Sequence, residues 1–133
     1  KDNEMTNQEK LYAAAILQLG RDASPMDRVS DEVGCVESAT TLIHQVLPEV
    51  PVMFGTYVAW EYFKKSPKFQ KTDSPKAGTI ILSVTGTGNG KMKNGHMSIC
   101  GKDGIIMSSD SSTGLWLENY SQASWTKKFV LIH

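Results

Sequence analysis

The sequence is poor in most features that mark a specialised scaffold. It has 2 cysteines in 133 residues, too few for a disulfide framework. A single Cys35–Cys100 bridge is chemically allowed, but a chain of this length can be stable without one. Neither sign of charge is in excess, since 14 Lys and Arg balance 14 Asp and Glu. That argues against a nucleic-acid binder, whose footprint would be basic, and against a polybasic membrane-surface patch. No apolar run approaches the roughly 20 residues that a membrane span requires. CxxC and HExxH are both missing, and the 3 histidines, His44, His96 and His133, lie far apart, so no metal is expected. Asp22, Asp27 and Asp31 lack the D-x-D spacing of the usual calcium loops. There is no internal repeat, and Lys1-Asp2-Asn3-Glu4 carries no charged-then-apolar leader. An initiating methionine is also missing, as in a processed product or a domain cut from a longer chain.

What is present reads as one soluble globular domain over residues 1–133, with 40% hydrophobic and 21% charged residues. Thr6-Asn7-Gln8-Glu9 is a capping box. Leu11, Tyr12, Ala15, Ile16 and Leu19 follow at helical spacing, with Gly20 as the stop. Residues 21–34 read as a loop. Ser30 and Asp31 are N-cap candidates for a second helix to about Val46, ended by Pro48 and Pro51. Residues 54–65 form a third, aromatic-rich helical pattern, and 66–77 read as an exposed connector. From Gly78 the character changes. Residues 79–84 are β-branched and apolar, 85–95 are glycine-rich, and 96–100 and 105–109 are strands joined by the hairpin signal Lys102-Asp103-Gly104. Residues 115–120 and 125–132 read as the last strands. Helices first and an antiparallel sheet second is an α+β order.

Chemistry concentrates on two residues. Cys35 follows Gly34 and is expected at a helix start, where backbone N–H groups favour a thiolate and could hold an oxyanion, the Cys35 N–H among them. Against this stands the behaviour of most free cysteines, which are small buried hydrophobes. A base is needed, and the histidines sort easily. His44 lies nine residues on, across the helix from Cys35. His133 is terminal. His96 opens a strand, and the fold order can bring it to the thiol. Its plain alternative is a strand histidine satisfied by a backbone carbonyl. A third polar group usually orients the imidazole. Ser108 and Asp110, two apart on the return strand, are both candidates. Glu37 points away from Cys35 and reads as surface, and Cys100 as packing. The aromatics Phe54, Tyr57, Trp60, Tyr62, Trp116 and Trp125 could line a groove, but core is the better reading for most.

The pattern resembles that of the CHAP and NlpC-type cysteine peptidases and amidases. The resemblance rests on Cys35 at a helix start, then Pro75-Lys76-Ala77-Gly78-Thr79-Ile80-Ile81, then Gly95-His96-Met97-Ser98-Ile99, and spans about residues 30–115. Gly34 and Thr79 depart from the usual residues of the pattern, as in a divergent, phage-like member. The resemblance implies a papain-like fold, with N-terminal helices packed on an antiparallel sheet. It also implies hydrolysis of peptidoglycan amide bonds, in the stem peptide or between muramic acid and L-alanine. Cys35 would be the nucleophile, His96 the base, and Ser108 or Asp110 the orienting group, with no cofactor. The expected partner is peptidoglycan, not nucleic acid or a membrane. The setting would be phage lysis, a virion, or an exported effector acting at the wall. Rival readings are a thiol hydrolase of a protein or isopeptide substrate and a catalytically dead binding or structural module.

Overall fold

In a computed structural model the protein is described over residues 5–22, 31–72, 76–83, 96–110, 113–121 and 129–132. Three helices, α1 (Asn7–Gln18), α2 (Asp31–Val46) and α3 (Thr56–Lys65), precede the strands β1 (Gln70–Lys71), β2 (Ile80–Ser83), β3 (His96–Cys100), β4 (Ile105–Ser109), β5 (Trp116–Ser121) and β6 (Phe129–Ile132). The strands form one six-stranded sheet in the order β1-β6-β2-β3-β4-β5, every pair antiparallel. This is an α+β architecture, as the order of sequence patterns implies. Among the described residues no helix is long and apolar enough to cross a membrane.

Local chemistry accounts for several boundaries. The capping box of α1 is formed in both directions, Glu9 N–H to Thr6 Oγ1 at 3.1 Å and Thr6 N–H to Glu9 Oε1 at 2.8 Å. The β3–β4 hairpin turns through Asp103 (φ 57°) and Gly104 (φ 78°), the paired positive φ values that an Asp-Gly turn supplies. One element escaped the sequence reading. Gln70–Lys71, inside the connector, pairs with Ile132 and Leu131 of β6. Two polar residues carry no periodicity, so nothing local marks them as strand.

The register assigns each strand residue to a face. Ile80, Leu82, Met97, Ile99 and Met107 are mutual cross-strand partners, and Trp116 pairs with Ser109 on the same side. These six belong to the main core cluster together with Leu11 and Ala15 of α1, Cys35, Val36, Ala39 and Ile43 of α2, and Ala59 and Phe63 of α3. The helices therefore cover this face. The alternate residues Ile81, Cys100 and Ile106 form a separate buried cluster on the reverse face.

Helix placement follows from contacts at the two ends. Asn7, Gln8 and Leu11 at the start of α1 line one small cavity with Ile43, Val46 and Leu47 at the end of α2, beside Gly78 and Ile80. The start of α1 therefore packs beside the end of α2. Past the other end of α1 the Gly20 N–H donates to the Trp116 carbonyl (2.9 Å) and the Trp116 N–H to the Arg21 carbonyl (3.0 Å). His96 opens β3 at the same end, because the β3–β4 register continued two residues beyond Ile99–Met107 sets Met97 opposite Ser109, the partner of Trp116.

Candidate active site

His96 Nε2 lies 3.0 Å from Ser108 Oγ. The sheet builds this contact directly. In the continued β3–β4 register Ser108 lies opposite Ser98, one diagonal step from His96 on the same face. Ser108 is fully buried and His96 half-buried. Burial pushes the imidazole down to about 4, so the ring is neutral at pH 7.

Asp110, the other orienting candidate, is placed differently. Its Oδ2 accepts from Thr113 N–H at 3.1 Å and from Thr113 Oγ1 at 2.8 Å, closing the turn into β5. It follows the last residue of β4, where short-range turn bonds compete for the carboxylate. Of the two candidates, the imidazole contact described above is with Ser108.

Cys35 departs from expectation in two respects. The helix begins at Asp31, so Cys35 is its fifth residue and not its mouth. In an α-helix the N–H of the fifth residue serves the carbonyl of the first, so the Cys35 N–H is committed and does not supply an oxyanion donor. The field of the helix terminus also fades within the first turn. Second, Cys35 is 0% exposed and belongs to the helix-face cluster, whereas His96 belongs to the reverse face with Ser98, Cys100, Ile106 and Ser108. Strand alternation gives the core side to Met97 and Ile99 and sends His96 the other way.

The remaining candidates resolve individually. Glu37 was expected at the surface and is instead 1% exposed, because α2 is enclosed on all sides from Cys35 to Thr40. Periodicity treats the far side of a helix as solvent, and here other elements cover it. His44 is exposed on α2, with Nδ1 2.8 Å from the Val50 carbonyl. Cys100 is buried packing in the reverse-face cluster. Phe54 and Tyr57 are exposed, Trp60 and Tyr62 partly buried, and Trp116 fully buried. Asp27, Trp125 and His133 lie outside the described residues. Among the described residues no group of three His, Cys, Asp or Glu side chains gathers as metal ligands would.

Two buried polar atoms have no hydrogen-bond partner among the described residues, Ser98 Oγ on the reverse face and Trp116 Nε1 on the helix face. No protein-family model matches the chain, and no curated protein matches it.

Proposed function

We propose that the protein is a cysteine hydrolase of peptidoglycan amide bonds, of the papain-like CHAP/NlpC type that the sequence pattern resembles. The observation that carries the reading is the His96 Nε2–Ser108 Oγ bond, at the spacing where that pattern has its third polar residue. In this reading the His96 imidazole is the base. Cys35 Sγ, losing its proton to His96, attacks the scissile carbonyl carbon. As the C–N bond breaks, imidazolium protonates the leaving amine. Water, deprotonated by His96, then cleaves the thioester and frees Cys35. The reading requires the imidazole and Sγ to meet past the N-terminal end of β3, where His96 is the first strand residue.

A second reading, a non-catalytic module, is favoured by one observation. Cys35 is sealed in the core on the face opposite His96. Two measurements on the same proteins separate them. Turbidity of purified bacterial cell walls should fall with the wild-type chain and stay constant with Cys35→Ala and His96→Ala. A His96→Cys chain should form a disulfide with Cys35 under mild oxidation, which requires Cα atoms within about 7 Å. Absence of both lysis and cross-link leaves the non-catalytic module; lysis that survives Cys35→Ala removes the thiol mechanism.

A further inference from the structure

We propose that Ser98 is a positioning residue for the base: its Oγ accepts a hydrogen bond from the Ser108 hydroxyl once His96 is charged. The catalytic role rests on the hydrolase reading; the hydrogen bond itself does not. While the ring is neutral, the 3.0 Å contact between His96 Nε2 and Ser108 Oγ is satisfied with the proton on either atom. An imidazolium removes that freedom. Both ring nitrogens then donate, so Ser108 Oγ must accept from Nε2. The Ser108 proton is turned away from the ring and needs an acceptor elsewhere.

Ser98 Oγ is fully buried and has no hydrogen-bond partner among the described residues. A buried hydroxyl without a partner is costly, so folded chains rarely keep one without cause. The sheet fixes its place. Ile99 pairs with Met107 and Cys100 with Ile106, so the next step of the register sets Ser98 opposite Ser108. The irregularity between Ile106 and Ser108 leaves this intact. Two steps of β4 there answer three of β5, from Tyr120 to Leu117, so the extra residue lies in β5 and β4 keeps its alternation. Ser98 and Ser108 therefore share the reverse face with Cys100 and Ile106. Directly opposed residues hold their Cβ atoms about 4.5–5.5 Å apart, close enough for hydroxyls to bond across strands. Rotation of Ser98 about χ1 between staggered positions makes the contact. Little else on this face responds to charge. On the flanking strand β2, Ile81 stands opposite Ser98 and Ser83 opposite His96, neither of them titratable. Cys100 is buried beyond Ser98, and Asp110, past the end of β4, has its Oδ2 engaged by Thr113.

The bond is read in the protonation of His96. NMR titration of the ring protons gives the His96 protonation constant in wild type, Ser98→Ala, Ser98→Thr, Ser108→Ala and the double variant Ser98→Ala/Ser108→Ala. Ser98→Ala should lower that constant about three- to tenfold, the worth of one hydrogen bond. Ser98→Thr keeps the hydroxyl and should stay within about twofold of wild type. In the Ser108→Ala background Ser98→Ala should change nothing further, because Ser98 acts through Ser108. Urea unfolding at pH 7 should be no easier in Ser98→Ala, whose lost hydroxyl has no partner in the neutral state. A core role alone predicts the reverse, a lowered urea midpoint with an unchanged protonation constant. Wall lysis reads the catalytic role on the same proteins and Cys35→Ala. With a lytic wild type and a dead Cys35→Ala, Ser98→Ala should lower kcat about three- to tenfold and hold KM within about twofold. An unchanged protonation constant or an unchanged kcat in Ser98→Ala, or an equal fall in the Ser108→Ala background, overturns the inference. A wild-type chain without lysis, or a fully lytic Cys35→Ala, removes the hydrolase reading and the catalytic role of Ser98 with it, and the titration then decides the hydrogen bond alone.

Discussion

The clearest physical prediction concerns acid. His96 is held neutral by burial, with its pKa at about 4 against an ordinary 6.5. A folded pKa below the unfolded one means that the native state resists the proton more than the unfolded chain does. The stability tied to the neutral ring is therefore fully present above about pH 6.5, declines as pH falls, and is gone below about pH 4. At roughly 1.4 kcal/mol per pH unit the gap amounts to about 3 kcal/mol. The ring is only half-buried, so residual hydration lowers the measured loss toward about 2 kcal/mol. Urea unfolding at pH 7 and pH 4 on wild type and His96→Asn isolates the effect, because the carboxylates titrate alike in both proteins. Wild type should lose about 2–3 kcal/mol more than the variant between those two pH values. Equal losses in the two proteins would show that the imidazole is as well solvated folded as unfolded, and the burial argument would fail.

Other substitutions test single contacts. Ser108→Ala leaves the buried Nε2 without its hydroxyl and should cost about 1–2 kcal/mol in urea unfolding, together with a loss of wall lysis if Ser108 orients the base. Thr6→Ala removes the cap acceptor for Glu9 N–H and should cost about 1 kcal/mol by thermal melting. Gly78→Ala forces a Cβ into the Gln8 carbonyl at a φ of +89° and should cost about 3 kcal/mol or more, read as a lowered urea midpoint. Gly104→Ala meets open space at φ +78°, so only backbone strain of about 1–2 kcal/mol is expected from the same measurement.

Much of the fold was legible because its cues are local. Thr6 and Glu9 announce α1 by a bond spanning three residues, and Asp103-Gly104 announces the hairpin by the φ values it tolerates. Helical spacing also sets Val36, Ala39, Ile43 and Val46 on one apolar stripe of α2, and the first three lie in the core with Val46 packed against it. It could not show that Glu37, on the far side of that stripe, is buried too, because covering that side takes other parts of the chain. The Gln70–Lys71 strand was illegible for a related reason. The β6 residues it pairs with lie some sixty residues away.

The candidate site divides along the same line. Residue types and spacing singled out Cys35, His96, Ser108 and Asp110, since thiol, imidazole and orienting groups are recognisable wherever they occur. Spacing two apart placed Ser108 and Asp110 on one side of a strand, but only the assembled sheet put Ser108 against Nε2 and drew Asp110 into a turn with Thr113. Which way His96 points was beyond any local pattern. His-Met-Ser-Ile-Cys alternates in either register, and the choice fell to Met97 and Ile99 packing beneath the helices, a matter of long-range burial. Side-chain chemistry is written residue by residue along the chain; the direction in which each group acts comes from the cooperative burial of distant apolar surfaces.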